Sequence, residues 1–181
     1  IKNDITKATP ASIKTSIDYV VVKIPRFTYE KCQGADDTHT SSTKSVGEAV
    51  DLGRTFTDYC QKALRTRETA AFVFGAGGSR GALEPHSEEI INGKLVRPNA
   101  ERVFYIRYAL KAGYSIEQIF ELTKIDPWFL HQLKQLIDME DELAQHKLDT
   151  VSTDLLRRAK SNGYSDRQLG YLFGCDWKDV N

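Results

Sequence analysis

Few residues of this 181-residue chain have the types and spacing that catalysis or metal binding requires. Its histidines, at positions 39, 86, 131 and 146, are scattered, and its cysteines, at positions 32, 60 and 175, have no Cys-x-x-Cys spacing. No nucleophile and base are paired by local spacing. We therefore predict no catalytic, cofactor-binding or metal-binding residue, reduced thiols, and a partly buried structural role for His131.

The glycine-rich stretch Gly75–Gly81 is the one segment that could cradle a phosphate. A dinucleotide-binding fingerprint must follow a strand and open a helix, and a P-loop needs Gly-Lys followed by Ser or Thr. The stretch meets neither condition, so a linker is favoured over an independent nucleotide binder. ATP-dependent stabilisation of the chain would distinguish the two.

Composition and charge indicate an ordinary soluble chain. The 25 Lys and Arg balance 25 Asp and Glu, and 40% of the residues are hydrophobic, which excludes global disorder and predicts one domain or two small ones. Nucleic acids and anionic membranes attract surplus positive charge, which is missing here. No apolar run approaches the roughly 20 residues that span a bilayer, and no signal peptide is recognisable, so a cytoplasmic location is expected.

The first third of the chain reads as the tail of a larger α+β domain. The β-branched run Ile17–Ile24, closed by Pro25, predicts a buried strand. A polar loop and the short segment Ser45–Asp51 follow, and then a helix with Thr55 as N-cap. Because so few strands cannot form a stable sheet domain, we expect residues 1–65 to be the end of a domain that begins upstream.

Beyond a Gly- and Pro-punctuated linker at 66–98, the pattern becomes helical. Helices are predicted at 99–112, 116–124, 127–145, 151–161 and 166–173, and core packing is expected for Trp128, Phe129 and Leu133. The acidic run Met139–Glu142 is interpreted as a solvated helix face.

An internal repeat with an offset of 50 residues runs through this helical half. Gly113-Tyr114-Ser115 with Gln118 recurs as Gly163-Tyr164-Ser165 with Gln168. The glycine suits the left-handed position that ends one helix, and Ser with Gln forms a capping box for the next. The repeat therefore predicts two related helical corners.

These corners also fit a helix-turn-helix, which would make the chain a nucleic-acid-binding regulator. Residues 99–181, however, carry 11 Lys and Arg against 13 Asp and Glu, a net charge of −2. A recognition helix beginning near Asp126 and Trp128 would place an acid and an indole against phosphates. DNA binding therefore stays as the alternative, which a binding measurement at physiological salt would test.

Three stretches, in order, resemble the large subunit of carbamoyl-phosphate synthase. Ser16–Phe27 is similar to a segment near the end of the first ATP-grasp unit of that family, and Lys44–Arg65 is similar to its closing segment. Leu122–Leu130, with the sequence LTKIDPWFL, is similar to the signature of the following helical domain. The resemblance implies a mainly α chain: residues 1–65 as the remnant of the carboxyphosphate-forming ATP-grasp domain, 66–98 as a linker and 99–181 as an oligomerisation domain.

The resemblance also implies a function for the parent enzyme. Members of the family are ATP-dependent, glutamine-hydrolysing ligases that make carbamoyl phosphate from bicarbonate, glutamine-derived ammonia and two ATP, for arginine or pyrimidine biosynthesis. They use ATP with Mg²⁺ or Mn²⁺. The resemblance implies that the nucleotide-binding motif of the family lies upstream of Ile1. The implied partners are the rest of the large subunit, a glutaminase small subunit or domain, and other copies of the chain. Neither nucleic acid nor a membrane is expected as a partner. The isolated chain is expected to be inactive.

A self-association surface is predicted beside Pro98. Leu95 and Val96 are expected to be exposed there, next to a helix with more apolar residues than one core-facing stripe can absorb, among them Val103, Phe104 and Tyr108. Two-fold pairing is the commonest way to cover such a patch. We expect these five residues to form a dimer contact; simple packing within the chain is the alternative.

Overall fold

The computed structural model describes residues 1–13, 19–25, 38–40, 45, 47–65 and 86–180. A small sheet unit comes first, with strands β1 (Val20–Pro25) and β2 (Glu48–Gly53) and helix α1 (Phe56–Arg65). A helical unit follows, with the bounds α2 (Glu88–Val96), α3 (Arg102–Lys111), α4 (Ile116–Thr123), α5 (Pro127–Ala144), α6 (Thr153–Ser161) and α7 (Asp166–Phe173), and a 3₁₀ helix at Trp177–Val180. The described chain is therefore mainly α with a small α+β part, which confirms the predicted fold class.

The two strands pair antiparallel, with Val21 opposite Leu52 and Val22 opposite Asp51. The predicted strand is present from Val20 onward, while Ile17 and Asp18 lie outside the described residues. Helix α1 packs against both strands and buries Val22. A two-stranded sheet is marginal on its own, so α1 is what holds this one together.

One hydrophobic core joins the two units. It contains Cys60 and Leu64 of α1 together with apolar residues of α2 to α7, and its fully buried side chains include Leu95, Ile119, Leu130, Leu136, Leu143 and Leu169. Helix α5 contributes the stripe Leu130, Leu133 and Ile137, at the i, i+3, i+7 spacing of one helix face. The sheet unit is thus anchored to the helical unit through α1.

Both predicted corners of the repeat are present with the expected geometry. Gly113 and Gly163 have φ values of +89° and +86°. Ser115 caps α4 and Ser165 caps α7, and in each case the Gln three residues later completes a capping box. The repeat is therefore a structural repeat, because the same local rules are met twice.

Replacing Ser115 with Ala is expected to lower the free energy of unfolding by about 1 kcal/mol, because the amide of Gln118 loses its acceptor. Ser165→Ala should cost about the same, since the Gln168 amide loses the equivalent bond. Urea unfolding followed by circular dichroism measures both values. A pair of variants as stable as the parent chain would contradict the capping role.

The linker predicted at 66–98 is wrong in its second half. Helix α2 occupies Glu88–Val96, with Ser87 as its N-cap and Glu88 and Glu89 in its first turn. Gly93 lies inside the helix, because capping and the first-turn acids outweigh the helix-breaking tendency of one glycine. Gly75–Gly81 falls outside the described residues.

Among the described residues, no helix has both the length and the apolar character needed to cross a membrane.

Candidate functional site

The five predicted interface residues do not share one environment. Val96 is 53% exposed, whereas Leu95 is fully buried. Val103, Phe104 and Tyr108 are half-buried and pack against the core. Of the five, Val96 is the most available for a contact between copies.

The expected exposure of Leu95 is wrong. Residues 95 and 96 are adjacent on α2, so their side chains point about 100° apart. Leu95 turns into the core of the helical unit, and its carbonyl oxygen accepts a hydrogen bond from Arg102 Nε at 2.8 Å. The packing of α2 on α3 therefore uses Leu95 inside the chain, and a contact between copies there would have to involve its neighbours.

An aromatic group forms on α3 with the residues that precede and follow the start of α2. Tyr105 and Tyr108 pack edge to face with ring centroids 5.4 Å apart, and His86 lies 4.6 Å from the ring of Tyr108. Lys94 lies 5.8 Å from the centre of the Tyr105 ring, a cation–π distance. All three rings are half-buried, so the group packs largely within the chain.

The expected core packing of Trp128 and Phe129 is wrong, because both form an exposed aromatic group. Trp128 is 51% exposed and Phe129 is 44% exposed, while Leu133 of the same prediction is buried. Both rings contact Phe56 of α1 at centroid distances of 5.6 Å, and we call these three residues the aromatic cluster. The buried stripe of α5 begins only at Leu130, and this spacing places Trp128 on another side of the helix.

The outer face of the sheet is the third exposed apolar surface. Val21, Val50 and Leu52 are each about half exposed there, on the side that α1 does not cover. Lys23 and Glu48 form an ion pair on the same face at 2.5 Å. The cross-strand pairing of Val21 with Leu52 places these apolar side chains next to one another.

Two predictions about ionisable side chains are also wrong. His131 is exposed. Glu140, part of the acidic run expected to be solvated, is buried, and its Oε1 lies 2.7 Å from Arg107 Nη2. The prediction is wrong for Met139 and Glu140, which face the helices packed on α5, whereas Asp141 is exposed as expected.

The described residues offer little for chemistry. They contain no group of three or more His, Cys, Asp or Glu side chains placed to hold a metal ion. Cys60 is buried, and this burial raises the pKa of its thiol to about 12, so it remains protonated and packs as an apolar side chain. Cys32 lies outside the described residues.

The helical unit has exposed apolar side chains and is joined to the two-stranded sheet through α1. The chain belongs to the family described as the carbamoyl-phosphate synthetase large chain, oligomerisation domain, whose sequence profile matches residues 48–181. The match begins at β2 and so takes in α1 as well as the helical unit.

Similar proteins carry the same name in several organisms. The chain is 46% identical over 99% of its length to the carbamoyl phosphate synthase large chain of Archaeoglobus fulgidus, of which it covers 17%. It is 50% identical over 95% of its length to the large chain of Rhodopirellula baltica, of which it covers 16%. The chain therefore spans about one sixth of the length of these relatives, and the comparisons lend no support to the helix-turn-helix alternative.

Proposed function

We propose that this chain is a structural segment of a glutamine-dependent carbamoyl phosphate synthase large chain. It joins the end of the carboxyphosphate-forming ATP-grasp domain to a helical domain through which large chains self-associate. The observation that carries the proposal is the match to the oligomerisation family over residues 48–181. The exposed aromatic and aliphatic surfaces support it, because an isolated domain would gain stability by covering them.

The parent enzyme then makes carbamoyl phosphate from bicarbonate, glutamine-derived ammonia and two ATP, in the cytoplasm. ATP and the Mg²⁺ or Mn²⁺ that neutralises its phosphates are held by other parts of the large chain. The remaining partner is the glutaminase small subunit or domain. The 181-residue chain alone has no activity in this proposal, so bicarbonate-dependent ATP hydrolysis by the purified chain would contradict it.

The proposed activity of the whole enzyme can be tested by placing this segment in the large chain of a relative. The matched segment of the Archaeoglobus fulgidus large chain is replaced with residues 1–181, giving an exchange enzyme that is assayed for carbamoyl phosphate synthesis. We expect measurable synthesis, because 46% identity over 99% of the chain preserves the core. A well-folded exchange enzyme without synthesis would count against the assignment.

Self-association is tested on the chain itself by sedimentation velocity over a range of concentrations. We expect an oligomer at micromolar concentration and a shift toward monomer in Val96→Glu, because a charge would be buried at the contact. Tyr171→Glu is the matched control, since Tyr171 is also exposed but lies on α7. A parent chain that stays monomeric at high micromolar concentration would contradict the structural role.

A further inference from the structure

The two corners of the repeat have the same backbone conformation, but different atoms surround their glycines. A Cβ atom at Gly113 would meet no other atom within 4 Å. A Cβ atom at Gly163 would lie 2.7 Å from the carbonyl oxygen of Asp58 and 3.0 Å from the Cβ of Gln61, both on α1. The backbone of the second corner therefore lies in close contact with α1, and only a glycine at position 163 leaves room for this contact.

One stripe of α1 makes this contact. Thr57, Gln61 and Arg65 follow each other at intervals of four residues, which places them on one side of the helix. Thr57 Oγ1 donates to Asn162 Oδ1 at 2.9 Å, and Arg65 Nη1 donates to the carbonyl oxygen of Gly163 at 2.6 Å. We call these five residues the α1 clasp.

The clasp differs from the first corner in its sequence as well. Asn162 orients its side chain by donating from Nδ2 to the carbonyl oxygen of Arg158 at 2.9 Å. The equivalent position at the first corner, 50 residues earlier, is Ala112, which has no side-chain acceptor. The repeat unit is therefore specialised at its second copy for holding a helix.

The other sides of α1 connect to the sheet. The ring of Tyr59 lies directly over Gly53 at the end of β2, where any side chain would overlap it. Burial lowers the pKa of Arg65, and the carboxylates of Asp58 and of Asp51 on β2 oppose that shift by stabilising the cation. Arg65 therefore lies near carboxylates of α1 and β2 while it donates its hydrogen bond to the second corner.

We propose that the α1 clasp sets the position of the sheet unit, and that the reaction of the large chain depends on it separately from self-association. This inference rests on the proposed function, in which the sheet unit belongs to an ATP-grasp domain. Arg65 and Asn162 are positioning residues in this scheme, because they act through α1 and not on a substrate. The helical unit then supports catalysis within one chain in addition to joining chains.

The test in the exchange enzyme compares Arg65→Ala and Asn162→Ala with the parent. We expect the kcat of carbamoyl phosphate synthesis to fall about tenfold in Arg65→Ala, because small displacements of a catalytic domain are costly, with an unchanged sedimentation coefficient. Arg65→Lys, which keeps one donor and the charge, should recover most of the rate. A rate equal to that of the parent, or a loss that occurs only together with dissociation, would overturn the proposal.

Hydrogen exchange in the 181-residue chain tests the clasp without any activity. We expect the α1 amides to exchange about tenfold faster in Arg65→Ala and Gly163→Ala than in the parent, because local opening becomes easier. Gly113→Ala is the matched control: it carries the same backbone strain at positive φ but leaves α1 in place. Unchanged α1 protection in Gly163→Ala would refute the clasp, whereas an inactive exchange enzyme with normal α1 protection would refute only the proposed function.

Discussion

Replacing Leu95 with glutamate is expected to unfold the helical unit, whereas the same replacement at Val96 is expected to leave it folded. Leu95 has no exposed surface and belongs to the core that joins α2 to the other helices. A carboxylate there would lie among the apolar side chains of that core and must be buried charged or become protonated at a cost. We expect a loss on the order of 5 kcal/mol, which is comparable with the whole stability of a small domain.

Val96→Glu is the matched control because the two positions are neighbours on the same helix. Val96 is more than half exposed, so its carboxylate remains hydrated and the change in stability should stay within about 0.5 kcal/mol. Far-ultraviolet circular dichroism and urea unfolding at low protein concentration measure both variants. If Leu95→Glu unfolds at the same urea concentration as Val96→Glu, the burial of Leu95 is wrong.

The contrast between these neighbours shows where sequence patterns reach their limit. The corners at Gly113 and Gly163 could be predicted because glycine conformation and Ser–Gln capping depend on residues within four positions of each other. The burial of Leu95 depends on the angle at which α2 meets α3, which no local pattern encodes. A helix inside the predicted linker could still have been found from Ser87 followed by two acids.

The candidate surfaces were harder to predict than the helices. Trp128 and Phe129 are apolar, and apolar residues at helical spacing usually belong to the core. Their exposure follows from Asp126 and Pro127, which start α5 only one turn before the buried stripe and leave its first turn beside α1. The contact of Gly163 with Asp58 joins residues 105 positions apart, so it becomes visible only in the folded chain.

The burial of the charged residue Glu140 also cannot be predicted from its local sequence. Its sequence neighbourhood is acidic, but its side chain is only 6% exposed and lies against Arg107, which is 4% exposed. Lys111 Nζ approaches the same carboxylate oxygen at 3.2 Å and also pairs with Asp141. Tyr164 of the second corner lies close by, where burial, with Glu140 as a secondary cause, raises the pKa of its hydroxyl.

Replacing Glu140 with Leu is expected to lower the free energy of unfolding by about 3–5 kcal/mol, because it leaves the guanidinium of Arg107 buried without its counter-ion. Removing both charges should cost much less. In Arg107→Met with Glu140→Leu, two apolar side chains fill the space between α3 and α5, and Lys111 keeps Asp141 as a partner. The double variant should therefore be more stable than Glu140→Leu alone.

A double-mutant cycle in urea, with Arg107→Met as the other single variant, measures the coupling between the two residues. We expect Arg107→Met to be the milder single change, since Glu140 keeps Lys111 within 3.2 Å. The expected coupling energy is about 2 kcal/mol, in the range for residues in direct contact. Additive effects of the two substitutions would mean that the two side chains do not interact in solution, and would contradict the buried ion pair.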